Sequence, residues 1–287
     1  MHINDFPSCS QFFNFTLFAD DSTLTCSFDN HDGEFIARTV ETELTPITTW
    51  LDANKLSINH KKTNFIVFSY RKKFLIRPLF FGSDQIKQTN STKFVGLQID
   101  ENFKFDKQVN AIATKISKTT GILYRMNKFL PQNILKLLYD SLIVPYLSYG
   151  VEIWHSAPLN LIERLFILQK KAVRAMNNLP YNAHTNNYFR DMQLLKLDDL
   201  YNLLLMTDVY SRSTEVINAV GIRSDVHSYE TRNRNQINLP RYQRTATQRS
   251  FIYQQLIKWQ HIPQPIKDSH SKNIFKRRYK SYLLASY

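Results

Sequence analysis

Phe15-Thr16-Leu17-Phe18-Ala19-Asp20-Asp21-Ser22 sets two adjacent carboxylates between two apolar, strand-like runs. Before the acidic pair, Phe13, Phe15 and Leu17 alternate with Asn14 and Thr16; after it, Thr23, Leu24, Thr25, Cys26 and Ser27 resume the pattern. A period of two predicts a β-hairpin over 11–28 with Asp20 and Asp21 at its tip. Neighbouring carboxylates repel each other, and a divalent cation offsets that repulsion. Mg²⁺ favours a few carboxylates together with substrate phosphates and retained water. Two such ions can clamp the attacking and leaving oxygens of an in-line phosphoryl transfer. The competing reading of the tetrapeptide is a plain Asp-rich turn, since Asp is a favoured turn residue.

Outward from the hairpin, Ile36, Val40, Leu44, Ile47 and Leu51 recur at spacings of three and four and predict a helix over 33–54. Pro46 predicts a kink in it or two abutting helices. Residues 63–70 are rich in β-formers and read as a strand, followed by a basic turn at Arg71-Lys72-Lys73. Two short strands are expected near 84–88 and 93–99, with Gly96 inside the second as a bulge or close backbone approach. From about Phe105 the period becomes helical, predicting helices at 105–128, 132–144, 146–156, 159–176, 186–193 and 198–212. Pro131 and Pro145 fall at helix boundaries, where the ring is tolerated. Residues 214–250 are polar and Arg/Asn-rich and read as extended or poorly ordered; helices at 251–259 and 271–284 close the chain.

The 287 residues are 43% hydrophobic and 21% charged, enough to bury a core, so disorder is not the expected state. With only 6 glycines, a nucleotide fold built on Gly-rich phosphate loops is disfavoured. The net charge of +13 points to a polyanionic partner, against the alternative of a solvated basic surface. Its distribution is uneven. Residues 1–59 hold 2 basic and 9 acidic side chains, whereas 60–287 hold 35 and 15. Acid gathers where metal chemistry is expected, and base where nucleic acid is expected. Cys9 and Cys26 make neither a disulfide framework nor a zinc finger, and the eight histidines lack ligand spacing, so no zinc site is expected. No run of 18 apolar residues and no signal-peptide pattern is present; an intracellular, reducing compartment is expected.

Several ordered blocks together resemble the reverse transcriptases of non-LTR, LINE-type retrotransposons, closest to the jockey-like group. Phe15 to Ser22 is similar to the family's catalytic hairpin. Trp50-Leu51, Asn54-Lys55-Leu56-Ser57-Ile58-Asn59, Lys62-Thr63 and Ile66-Val67-Phe68 resemble the motif that follows it. Phe94-Val95-Gly96-Leu97-Gln98-Ile99-Asp100 resembles the primer-grip strand. Leu123-Tyr124-Arg125 and the run Tyr139 to Gly150 with Trp154 resemble the thumb, and Leu239-Pro240-Arg241, Ser250-Phe251, Trp259, Ile262-Pro263 and Phe275-Lys276 resemble the closing segment.

The resemblance implies an RNA-directed DNA polymerase acting on an RNA template, a DNA primer and deoxynucleoside triphosphates, with Mg²⁺, or Mn²⁺ in its place. Asp20 is then the main metal ligand and Asp21 its weaker partner. Phe18 and Ala19 lie near the primer terminus. Lys62 stands near the triphosphate as a general acid for pyrophosphate, against the alternative of a solvent-exposed lysine beside Lys61. Lys55 and Asn59 shape the nucleotide end, and Phe94, Gly96 and Leu97 hold the primer backbone, with plain strand packing as the rival for these apolar positions. The family also implies a nuclear location, with the cytoplasm as alternative. Retron and group II intron enzymes share the Ala-Asp-Asp turn but lack the tail pattern.

Two basic regions are legible without the family. Over 159–176, Leu161, Leu165, Leu168 and Ala172 share one face, and Arg164, Lys170, Lys171 and Arg174 lie on the other, as suits a helix packed on a core and facing phosphates. Residues 231–287 hold 12 basic side chains and one acidic one, with Arg232, Arg234, Arg241, Arg244 and Arg249 alternating with Asn, Gln and Tyr. Tyr242, Tyr253 and Trp259 could stack on bases there; a solvated basic tail is the alternative.

The expected architecture is α+β: a partial polymerase palm over 1–100, a helical thumb-like region over 101–212 and a basic nucleic-acid-binding segment over 213–287. The family's first palm motif, with its further aspartate, has no counterpart before the hairpin. This chain alone is therefore expected to bind nucleic acid without polymerising, either as part of a polymerase or as a non-catalytic binding module. The sequence sets no oligomeric state and implies no membrane partner.

Overall fold

The computed structural model describes residues 4–29, 32–69, 76–212 and 250–287. The chain divides into two compact units, Met1–Phe103 and Lys104–Tyr287. Small sheets and many helices make it α+β.

The first unit is organised by α1, Gly33–Ala53. Asp32 caps its start, its carboxylate accepting from the Glu34 N–H at 3.0 Å. Pro46 lies inside a single helix rather than between two. Proline removes one backbone donor, yet the helix keeps its packing face through the site: Ala37, Leu44 and Ile47 are buried and Val40 and Leu51 pack beside them. The hydroxyls of Thr39, Thr42, Thr45, Thr48 and Thr49 each donate to the carbonyl four residues back, so five polar side chains are satisfied within the helix.

Against this face lie β1 (Asn14–Phe18), β2 (Asp21–Thr25), β4 (Leu79–Phe81) and β5 (Asp84–Gln88). Phe13, Leu79, Phe81 and Ile86 are buried in the common core, with Phe15, Leu17 and Leu24 packed against it. Each such buried side chain stabilises by roughly 1.5–3 kcal/mol. A short 3-10 turn, Phe6–Cys9, adds Phe6, whose ring lies 4.7 Å from Trp50 and edge-on to Phe15 at 5.2 Å.

With β3 (Asn64–Phe65), β6 (Ser91–Phe94) and β7 (Leu97–Asp100), the strands among the described residues fall into three separate sheets: β1–β2, β3–β5–β4 and β6–β7. Two expectations are corrected here. The strand over 63–70 contracts to β3, Asn64–Phe65, which runs parallel to β5. The strand over 93–99 is instead a hairpin of β6 (Ser91–Phe94) and β7 (Leu97–Asp100). Val95 at φ 44° and Gly96 at φ 82° form its two-residue turn. Two successive positive φ values are what a type I′ turn demands, and its twist matches the strands it joins. Gly96 therefore reverses the chain rather than bulging a strand.

An ionic clamp ties α1 to β4. Arg77 grips Glu41 with two hydrogen bonds of 2.7 Å and reaches Glu34 at 3.0 Å, while Glu41 also accepts from the Phe80 N–H at 2.9 Å. These donors hold the Glu41 carboxyl below its ordinary value.

The second unit is helical. Its elements are α2 (Asp106–Met126), α3 (Gln132–Leu142), α4 (Val144–Ser148), α5 (Val151–Trp154), α6 (Leu159–Met176), α7 (Asn186–Asp191), α8 (Leu197–Ser211), α9 (Phe251–Gln260), α10 (Gln264–Lys267) and α11 (Lys272–Leu284). Pro131 caps α3 and Pro145 sits in the first turn of α4. The helix expected over 146–156 is split, because Gly150 at φ 60° ends one run and starts α5.

α2 and α6 form the main helix pair, and α8 is packed by α4, α5, α6, α9 and α11. Leu197, Leu200, Tyr201, Leu203, Leu205, Met206 and Val209 are all buried, so α8 is apolar nearly all round, as a central helix must be. The C-terminal helices belong to this unit, with Leu256, Trp259, Phe275, Tyr279 and Leu283 buried. Polar contacts pin them at the start of α8. Tyr287 donates to Asp199 at 2.6 Å and accepts from the Lys196 N–H at 2.8 Å. Lys258 donates to Asn202 at 2.5 Å. From the other side His155, at the end of α5, meets Asp198 at 2.9 Å.

At the centre Gln169 is only 1% exposed. Its amide donates to the Tyr139 hydroxyl at 2.9 Å and the Leu195 carbonyl at 2.8 Å, and accepts from the Leu197 N–H at 2.9 Å. One side chain thus joins α3, α6 and the first turn of α8. Burial pushes the Tyr139 hydroxyl pKa upward, so it stays protonated as a hydroxyl group.

Two predictions follow from these contacts. Gln169→Leu fills a similar volume but strands three buried polar groups, each costing about 1–3 kcal/mol, so urea unfolding of the second unit should lose about 3 kcal/mol or more; a loss under 0.5 kcal/mol would refute the role. For Glu41 the folded pKa lies below 4.5, so its contribution is present above that pH and is lost as pH falls through the folded value. The stability gap between wild type and Glu41→Gln should therefore be widest at neutral pH and shrink as the solution is acidified below 4.5; a gap independent of pH contradicts the clamp.

Candidate functional site

The catalytic candidate is the β1–β2 hairpin. Its register pairs Asn14 with Thr25, Phe15 with Leu24, Thr16 with Thr23, Leu17 with Ser22 and Phe18 with Asp21. Only Ala19 and Asp20 remain to turn the chain. Asp20 therefore occupies the tip, whereas Asp21 is the first residue of β2, which refines the expectation that both sit in the turn. Both carboxylates are exposed, and so is the Phe18 ring, at 60%.

Ala19 adopts φ 52°. A left-handed conformation costs an L-residue roughly 1–2 kcal/mol, because its Cβ crowds the following carbonyl. Packing holds it there: Phe15 and Leu17 face the α1 core on one strand and Leu24 on the other, so the register cannot slip without turning these side chains to solvent. The strain sits at the residue next to the two carboxylates.

Among the described residues, no group of three or more His, Cys, Asp and Glu side chains is gathered to hold a metal ion. Asp20 and Asp21 offer carboxylate oxygens on adjacent residues. This suits Mg²⁺, which takes one or two protein carboxylates and completes its shell with phosphate and water. It does not amount to an all-protein cage.

Lys55 stands just past the end of α1 at φ 57°. Its N–H bonds to the Asp52 carbonyl at 3.1 Å and the Leu56 N–H to the Leu51 carbonyl at 2.9 Å, the pairing of a Schellman cap. The backbone of Lys55 thus ends the helix while its side chain is exposed. Asn59 accepts from the N–H groups of Lys62 and Thr63 at 2.9 and 3.0 Å, making the turn that carries Lys62, which is exposed. Phe94 and Leu97 face each other across the second hairpin, with Leu97 buried.

On α6 the buried stripe is Ile162, Leu165, Gln169, Ala172, Val173 and Met176; Leu161 and Leu168, expected in it, are only half-buried. The basic side chains are unequal. Arg174 donates to the Ala183 carbonyl at 2.9 Å and Arg164 to Asn110 at 2.6 Å, and Lys170 lies over the Phe166 ring at 4.7 Å. Lys171 is exposed. Three of the four thus have partners within the fold. Arg232, Arg234, Arg241, Arg244 and Arg249, with the basic turn 71–73, lie outside the described residues.

Comparison with known proteins finds partial relatives. The chain is 27% identical over 195 residues to a probable RNA-directed DNA polymerase from transposon X-element of Drosophila melanogaster, covering 64% of this chain and 20% of that protein. It is 25% identical over 118 residues to the RNA-directed DNA polymerase from mobile element jockey of the same species, covering 40% and 13%. These relatives are RNA-directed DNA polymerases of transposons and mobile elements, jockey among them. A third, a probable RNA-directed DNA polymerase from transposon BS, is 23% identical over 167 residues, covering 57% of this chain and 18% of that protein. The chain thus spans about a fifth or less of the length of these retrotransposon polymerases. No family model and no solved structure matches it. Among the described residues, no helix is long and apolar enough to cross a membrane.

The contacts missed in the sequence carry weak signals there. Arg77 with Glu41 are 36 residues apart, and no local pattern links them. Gln169 reads as a polar interruption of an apolar stripe.

The strain at Ala19 is testable. Ala19→Gly should raise the urea stability of the first unit by about 1 kcal/mol, because glycine adopts positive φ freely, and Ala19→Val should lower it. A glycine variant less stable than wild type would refute the left-handed turn.

Proposed function

We propose that this chain contributes the catalytic hairpin of an RNA-directed DNA polymerase, with Asp20 and Asp21 as carboxylate ligands for Mg²⁺ or Mn²⁺. The observation that carries this reading is the two-residue turn: it presents both carboxylates to solvent at the end of a hairpin whose other face is fixed on α1. The relatedness to transposon polymerases supports it. When bound, the metal would supply charge neutralisation at the transferring phosphoryl group.

The chain's own residues position and neutralise. Asp20, at the tip, reaches furthest from the packed strands, and Asp21, on β2, is held by its pairing with Phe18. The exposed Phe18 ring offers an apolar surface beside the primer terminus. Lys62 carries a positive charge toward the triphosphate and a proton for the departing pyrophosphate. Phe94, Gly96 and Leu97 form the hairpin that supports the primer. The helical unit serves as the thumb-like region. RNA template, DNA primer and deoxynucleoside triphosphates are the proposed partners, and the nucleus the proposed compartment.

A second reading is favoured by the incomplete donor set. Two carboxylates with no third acidic ligand among the described residues, on a chain of net charge +13, fit a module that binds nucleic acid without catalysis.

Primer extension on an RNA template with Mg²⁺ and deoxynucleotides separates the two. The chain alone should bind the template–primer and extend it no further than background. A chimera that adds the unmatched part of a jockey-type polymerase should extend it, and Asp20→Ala in that chimera should lower the rate at least 100-fold with affinity unchanged or slightly higher. An active Asp20→Ala chimera would refute the metal-ligand role, and robust synthesis by the isolated chain would refute its dependence on further polypeptide.

A further inference from the structure

The C-terminal segment 250–287 carries seven Lys and Arg residues against the single acid Asp268. The fold accounts for three of them. Lys258 bonds Asn202, Lys267 lies over the Trp259 ring at 5.3 Å, and Arg278 donates to the Pro265 carbonyl at 3.2 Å. The remaining four, Lys272, Lys276, Arg277 and Lys280, all stand on α11. Lys272, Lys276 and Lys280 recur every four residues, so they form one row along the helix. Lys272, Lys276 and Arg277 are exposed, and Phe275, Tyr279 and Leu283 anchor the helix by its buried face. None of the four forms an ion pair among the described residues.

A second element adds to the row. Lys136 of α3 lies close enough to Lys280 to repel it, as does Lys276, and the one carboxylate in reach, Asp140, is bonded to Lys136 at 2.6 Å. Lys280, half-buried, thus faces two further ammonium groups and a carboxylate already bonded to one of them. Burial and this crowding both disfavour its charged form. A folded chain gains nothing from such crowding, whereas a phosphodiester backbone, with a negative charge at regular short intervals, relieves it.

We propose that the outer row of α11, Lys272, Lys276, Arg277 and Lys280, beside the Lys136–Asp140 pair of α3, is a binding surface for the phosphate backbone of nucleic acid. It deepens the nucleic-acid reading given above and places the contact on a helix docked to α8, outside α6 and outside the catalytic hairpin. The contacts are to phosphate, so the surface positions the strand without reading its sequence.

The test uses the full chain and fluorescence anisotropy with a labelled 20-nucleotide strand across a salt series. Lys276→Glu/Lys280→Glu should weaken binding at least tenfold at 150 mM salt and lower the slope of log K against log salt by about two. Lys118→Glu/Lys128→Glu, exposed on and just after α2, makes the same change in net charge and should weaken binding much less. Equal weakening by both pairs would show a diffuse charge effect and overturn the proposal, as would unchanged affinity in the α11 variant. Should the Glu pair unfold, Lys276→Gln/Lys280→Gln reports the same loss at smaller size, with thermal unfolding confirming the fold. Inorganic phosphate, at matched ionic strength, should not displace the strand; displacement at millimolar phosphate would mark a simple anion patch and overturn the backbone assignment. None of these variants touches Asp20 or Asp21, so failure here leaves the metal chemistry of the hairpin standing, and failure there leaves this surface standing.

Discussion

Pairing of Phe18 with Asp21 leaves two residues to reverse the chain, and the candidate site follows from that constraint. Two residues is the commonest link for such a hairpin. With two, Asp20 must project from the tip and Asp21 must begin a strand. The cost is a positive φ at Ala19, where a side chain is disfavoured. The cost is met by burial of Phe15, Leu17 and Leu24 against α1. The geometry of two carboxylates thus rests on apolar packing that contains no carboxylate at all.

The helical unit uses polar groups differently. Its centre holds a glutamine whose three hydrogen bonds are all made inside the protein. Such a group adds little net stability when satisfied, yet leaving its partners unpaired is expensive. It therefore fixes which helices meet, while the surrounding apolar side chains supply the driving force. The start of α8 concentrates this effect, because Gln169 and Tyr287 satisfy its N-terminal donors from distant parts of the chain. Residues near the C-terminus thereby complete a core that begins at Lys104.

Positive charge is divided between structure and surface by the same accounting of partners. Arg77, Arg174, Arg278 and Lys258 are committed to carboxylates, carbonyls or an amide. The row on α11 is not. A strong net charge says that a polyanion is a fitting partner; only the contact pattern distinguishes the cations available to meet one.

Local pattern was enough to specify the hairpin, α1, α2, α6, α8 and the last helices, because periods of two and 3.6 are properties of neighbouring residues. It also singled out Asp20 and Asp21, since adjacent acids between apolar strands need no distant information. Long-range packing set the remainder. Gly96 became a turn because Phe94 and Leu97 pair across it, and the strand over 63–70 shrank because its one parallel partner, β5, meets it only at Asn64 and Phe65. Leu161 and Leu168 yielded the centre of α6 to Gln169, because a polar side chain with every bond satisfied can be buried more deeply than an apolar one at the margin. Hydropathy counts atoms along the chain, whereas burial depends on which partners arrive from elsewhere in the chain.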